Sequence, residues 1–247
     1  SSTSHSVHVF QHPIVLEKPE STNRSQFHIQ KSNFVFLFMF DFDSHLARKN
    51  PEAVIKAFKY AFPKSYQNSV SLVIKSINGD RHPKEHKTLK KLIDGNPRII
   101  HIQKVLPHYE NAALIHCCDC YVSLHRSEGF GLTIAEAMLL GKPVITTGYS
   151  GNMDFTTIET SLLVDYELIP VQQGDYPYSK DEMWAEPDIE QAGDYMKKLV
   201  SDKDFSCSFA KKGQELIRTS FSIKSLSEIY KNRLDVISKE KTLNQEN

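Results

Sequence analysis

The sequence predicts an α/β fold, a Rossmann-like parallel sheet with helices on both faces and a helical C-terminus. Three observations predict it. Short apolar runs alternate with helical patterns along most of the chain, and such alternation implies right-handed crossovers between parallel strands. The first run, Phe34-Val-Phe-Leu-Phe-Met-Phe40, is apolar at every position, as a strand buried on both faces must be. Beyond residue 188 the pattern is helical only.

Taken in order, residues 34–40 are the first strand. Residues 51–62 follow as a helix, with Pro51 at its first position and Val54, Ile55, Phe58 and Phe62 on one face. A strand over 70–74, a helix over 84–93, a strand over 99–102 and a helix over 107–116 continue the alternation. Next come a strand over 120–124, a helix over 132–140 closed by Gly141 and Pro143, a strand over 144–146 and a weak one over 162–164. Residues 166–187 hold three prolines and the only tryptophan, Trp184, and read as a long ordered loop. Asp188 then caps a helix through 200, and two more are expected over 204–219 and 222–237. The organisation expected is a linker over 1–32, one domain over 33–240 and a polar tail over 241–247.

Composition excludes several classes. Thirty basic side chains balance thirty acidic ones, so no summed field draws the chain to nucleic acid or an anionic membrane. The longest apolar run is far shorter than the roughly 20 residues that span a bilayer, and no transmembrane segment is expected. Ser1-Ser-Thr-Ser-His5 lacks the basic and apolar regions of a signal peptide, which makes the cytoplasm the expected location. Cys117, Cys118 and Cys120 crowd together but lack two further ligands at zinc spacing. They read as small buried residues entering a strand. His101, His108, His116 and His125 fall in different elements without metal spacing and read as structural, His125 being the best exception because it precedes the glycine turn.

In open parallel sheets a ligand sits at the C-terminal strand ends, which directs attention to the segment after 120–124. There Glu128-Gly-Phe-Gly131 opens a helix. Two glycines permit a tight turn, and a helix start leaves N–H groups free for a diphosphate. Glu136, the only charged residue in that helix, needs donors if it is buried. A ribose whose phosphates lie at the helix start would supply two hydroxyls. The alternative is that Glu136 pairs with a core Arg or Lys while Glu128 acts on the helix dipole alone.

The run His125-Arg-Ser-Glu-Gly-Phe-Gly-Leu-Thr-Ile-Ala-Glu136 and the following Ala-Met-Leu-Leu-Gly-Lys-Pro-Val144, with Gly148-Tyr-Ser-Gly-Asn152 beyond, closely resemble the signature of retaining GT-B glycosyltransferases of family 4 (glycosyl transferases group 1). The resemblance covers about residues 33–235 and that family's C-terminal, donor-binding half. It implies that Glu128 is the catalytic-site glutamate contacting donor-sugar hydroxyls and that Glu136 binds the ribose. Gly129, Phe130, Gly131, Leu132 and Thr133 would hold phosphate through their backbone. A basic pair after the first strand stabilises the leaving group in that family without bound metal. Lys49 matches its lysine, whereas the arginine position falls near Ser44, so that Arg48 is the substitute. Lys75, near the end of its strand, is a second phosphate candidate.

The resemblance further implies a UDP- or GDP-linked sugar as donor, no cofactor, and a glycan or lipid-linked acceptor, as in polysaccharide biosynthesis. Residues 7–16 resemble the interdomain linker, so an N-terminal acceptor domain or partner chain is expected to complete the enzyme. That half would also carry any peripheral contact with the inner membrane face. A non-catalytic nucleotide-sugar-binding or scaffolding module is the contrasting expectation, and a GT-B phosphorylase or synthase a third. Base contacts are expected from backbone around 103–106.

Overall fold

The computed structural model describes residues 9–17, 19, 23–66, 69–177 and 179–245. Strand β1 (Phe34–Asp41) lies in the middle of a six-stranded sheet. Its side chains alternate, with Phe36, Phe38 and Phe40 on one face and Val35, Leu37 and Met39 on the other. Both sets are buried because both faces are covered, which explains why the sequence is apolar without interruption. Each such side chain contributes roughly 1.5–3 kcal/mol on burial.

The other strands are β2 (Val70–Ile77), β3 (Ile99–Gln103), β4 (Cys120–Ser123), β5 (Val144–Thr147) and β6 (Leu162–Val164). They are parallel throughout, in the order β3-β2-β1-β4-β5-β6. The chain builds outward from β1 to β3 and then crosses to β4 on the other side of β1. This reversal sets the loops after β1 and β4 side by side at the C-terminal strand ends, the switch point where ligands bind in such sheets.

Helices follow in the predicted rhythm: a single turn α1 (Leu46–Lys49), then α2 (Pro51–Ala61), α3 (Pro83–Ile93), α4 (His108–Cys117), α5 (Leu132–Leu139), α6 (Ile189–Ser201), α7 (Lys203–Ser220) and α8 (Ile223–Gln245). Helices α2 and α6 cover the phenylalanine face, while α4 and α5 cover the opposite one. Asp188 caps α6 through the amides of Glu190 and Gln191 at 2.9 and 3.0 Å, the role read from the sequence.

Two expectations are corrected. The segment over 166–187 is framed by an antiparallel pair, β7 (Tyr166–Pro170) and β8 (Met183–Pro187), with Leu168 opposite Ala185 and Ile169 opposite Trp184. Pro170 and Pro187 stand at strand ends, where no ladder donor is lost, and Pro177 lies in the turn between them; β7 is largely exposed, so it carries no run of core residues. The last helix extends to Gln245, past the expected end at 237 and into the expected tail. At the other end, Ile14, Phe27 and Ile29 pack into the α4/α5 side of the core, and the Ile14 amide donates to Phe221 O at 2.9 Å. Residues 1–8, 18 and 20–22 of the expected linker, and 246–247 of the expected tail, lie outside the described residues. No described helix is long and apolar enough to cross a membrane.

Candidate functional site

Past β1 the chain makes one 3-10 turn and enters α1, which is bracketed by two left-handed residues, His45 (φ 65°) and Asn50 (φ 53°). Asn50 then caps α2 by accepting from the Ala53 amide at 3.3 Å. Past β4, residues 124–131 lead into α5. These two loops meet. The Lys49 ammonium pairs with Glu128 Oε2, and Arg48 lies 3.6 Å from Glu128 Oε1 while donating to Ser127 O at 2.9 Å. Burial alone would push the Glu128 carboxyl up, but the charge of Lys49 and its hydrogen bond, with Arg48 adding, hold it below the ordinary value.

The turn into α5 has Gly131 at φ 92°, a conformation that side chains rarely tolerate. Phe130 turns inward against Phe155 and Phe221, with centroids 5.1 and 6.5 Å away. Its ring anchors the loop while its backbone stays at the rim. The amides of Phe130, Gly131, Leu132 and Thr133 find no acceptor among the described residues, so the helix start presents free donors. The Thr133 hydroxyl accepts from Tyr121 at 2.7 Å, tying α5 to β4.

Glu136 sits half-buried on α5 and forms no hydrogen bond or ion pair among the described residues. No core Arg or Lys answers it. Burial accordingly raises its pKa, with the charge of His108 lowering it only in part. Lys75 is 6% exposed in β2, level with Met39 of β1 on the α4/α5 face. Its strand runs past the expected end at 74, to Ile77. Burial lowers its pKa against the charge of Asp41, and its ammonium too has no hydrogen bond or ion pair among the described residues.

The loop after β5 holds the site from behind. Ser150 takes φ 74°, ψ −153°, a region that is nearly glycine-only and costs about 1–3 kcal/mol. Its hydroxyl accepts from the Glu128 amide at 2.8 Å, and the Gly151 amide donates to Glu128 O at 3.0 Å. A Cβ on Gly151 would stand 1.9 Å from Gly129 O. His125 is fully buried, with Nε2 at 3.0 Å from Asn152 Oδ1 and 3.2 Å from Tyr149 O. Both are acceptors, so Nε2 carries the proton and Nδ1 accepts from Ser123 at 3.0 Å. Burial lowers the His125 pKa, and the neutral ring joins the two loops. Sequence reasoning assigned no role to Ser150, Gly151 or Asn152, although their segment was visible in the motif.

The other candidates stay apart. His101 pairs with Ser76 at 2.8 Å and is pushed down to about 4, first by burial. Cys117, Cys118 and Cys120 are buried, and burial pushes the thiols of Cys118 and Cys120 up. Residues 104–107 join β3 to α4 beside a groove of about 1070 Å³, whose lining includes Lys104, Leu106 and His108.

Comparison with solved structures places this geometry among known folds. The chain resembles HepE of Anabaena, solved in complex with UDP and glucose (TM-score 0.64, 19% identity, 86% of this chain and 51% of that one). It also resembles sucrose-phosphate synthase of Thermosynechococcus elongatus (0.62, 18%, 86% and 48%). The C-terminal domain of the glycosyl transferase group 1 family protein LpcC of Francisella tularensis matches over 83% of this chain and 95% of its own (0.58, 21%). The chain thus spans about half the length of the first two. No curated protein matches the sequence. The family model described as glycosyl transferases group 1 matches residues 20–164, more than half of the chain, and with the parallel sheet, its switch-point crevice and the Glu128 to Glu136 helix start, the protein belongs to the glycosyl transferases group 1 family.

Proposed function

We propose that the β1/β4 crevice binds a UDP- or GDP-linked sugar and that, joined to an N-terminal half, the chain transfers the sugar with retention to a glycan or lipid-linked acceptor. The observation that carries this reading is Glu136, a half-buried carboxylate with no hydrogen bond or ion pair among the described residues and only the charge of His108 near it, one helical turn from four amides that find no acceptor among those residues. A buried charge left alone is unfavourable, and a ribose with its phosphates at the helix start supplies the missing donors. That HepE was solved with UDP and glucose accords with it.

Each remaining residue takes a role by its place. Lys49 and Arg48 face the diphosphate from α1, and Lys75 adds charge from the sheet. Arg48 Nε reaches back to Ser44 O at 3.1 Å, so its guanidinium stands in for the arginine that the resemblance expects near Ser44. Together with the helix start, these cations stabilise the departing diphosphate without metal. Glu128, released by Lys49 when phosphate arrives, turns to the sugar hydroxyls. The sugar–phosphate bond breaks, the acceptor oxygen bonds the same carbon on the same face, and its proton passes to the donor phosphate. Residues 103–106 offer backbone to the base, and polysaccharide synthesis is the setting.

The test is calorimetric titration with UDP and GDP. One is expected to bind, and Glu136→Ala to weaken it at least about tenfold, since hydrogen bonds to a charged group contribute roughly 1.5–3 kcal/mol. If neither nucleotide binds at millimolar concentration, the reading fails.

A further inference from the structure

Helix α1 carries Lys49 and Arg48, yet a single turn has no stability of its own, because nucleation fixes several residues for one hydrogen bond. Its C-terminal carbonyls also lack helical partners. Leu46 O is taken by the Asn50 amide at 2.8 Å. The next two are taken by one residue, Arg126, whose guanidinium donates to Ala47 O and whose amide donates to Arg48 O, both at 2.9 Å. The rest of Arg126 is held from β8. Its Nε lies 2.5 Å from Glu186 Oε2, its guanidinium rests 5.4 Å from the Trp184 ring centroid, and its carbonyl accepts from Ala185 at 3.0 Å.

We propose that Arg126 is a positioning residue for the donor site: it sets the place of α1, and with it Lys49, against a bound diphosphate, and the β7–β8 pair is its brace. This rests on the nucleotide-binding reading above. A lysine cannot replace it, since one ammonium cannot reach Glu186 and Ala47 together while lying flat on an indole. The hairpin supports the site elsewhere as well. Tyr166 packs against Tyr149 of the loop behind Glu128, centroids 5.0 Å apart, and Tyr176 meets His45 at the entry to α1, at 4.9 Å.

Calorimetry on the full chain tests this with UDP and GDP beside uridine and guanosine. Arg126→Ala and Arg126→Lys are each expected to weaken the diphosphate about tenfold while changing nucleoside affinity by less than about twofold. Placed on Lys49→Ala, Arg126→Ala should add clearly less than its own tenfold loss, what remains being the share of Arg48, because coupled residues are non-additive. Glu186→Ala should reproduce part of the loss and Glu186→Gln, which keeps an acceptor, should restore it. These two serve if the Arg126 variants do not fold. Unchanged diphosphate affinity, an equal loss for the nucleoside, multiplicative losses with Lys49→Ala, or a Glu186→Ala protein that binds like the unmutated chain each overturns the proposal. Failure of the unmutated chain to bind either diphosphate overturns the nucleotide reading, and this one with it.

Discussion

Glu128 and Glu136 lie on one loop and helix, but their surroundings drive their carboxyls in opposite directions. Lys49 and Arg48 hold Glu128 low against its burial, whereas burial raises Glu136 with little to offset it. A raised carboxyl stabilises the folded state below its ordinary pKa and loses that contribution as pH rises through the folded value. At neutral pH the empty protein therefore carries Glu136 at a disadvantage. Glu136→Gln should raise Tm without nucleotide on the order of 2–4 °C, the shift about 1 kcal/mol produces in a domain of this size, while weakening nucleotide binding. In the native chain, affinity should fall as pH drops through the raised value of Glu136, at a pH where the lowered Glu128 still holds Lys49. Titrations and thermal melts from neutral to acid pH check both, and an affinity flat across that range would remove Glu136 from the proposed ribose site.

At the scale of elements, the loop after β5 explains how a strained backbone is kept at the site. Ser150 is held in its unusual conformation by the Glu128 amide on one side and the His125–Asn152 network on the other. Gly151 packs against Gly129 too closely for any side chain. Gly151→Ala should displace the 128–131 turn, lowering stability by about 1–3 kcal/mol and nucleotide affinity with it. Ser150→Gly relieves strain while losing the hydroxyl's two hydrogen bonds, with the Glu128 amide and Tyr149 O, and should be nearly neutral for stability. Chemical denaturation ranks the two, and the reverse order would show that this loop does not brace Glu128.

For the whole molecule, strand order decides where the site lies. Only the reversal between β1 and β4 brings the basic turn after one strand to the glycine turn after the other. Relatives twice as long match over about half their length. Joined to the N-terminal half of such a relative, the chain is expected to transfer sugar from its donor with retention, and Glu128→Ala to abolish transfer. The anomeric configuration of the product reads the first. Transfer that survives in the variant would take Glu128 out of the site.

The chain's local chemistry determined much of this by itself. Uninterrupted apolar runs, the Pro51 and Asp188 helix starts, the Gly141 stop and the Glu128 to Glu136 spacing are properties of neighbours in sequence, so the six parallel strands, the long helices and the glycine turn were legible there. The antiparallel pair was hidden because its strands are short and end in proline, β7 is mostly exposed, and β8 buries its residues without alternation. The partners of the site were hidden for a different reason. Lys49 and Glu128 stand 79 residues apart, as do Ala47 and Arg126, and nothing in local pattern says which cation will reach which carboxylate. That choice belongs to the tertiary structure, because the burial that raises Glu136, the charge that lowers Glu128 and the brace on α1 exist only once the crossover from β3 to β4 has brought distant loops together.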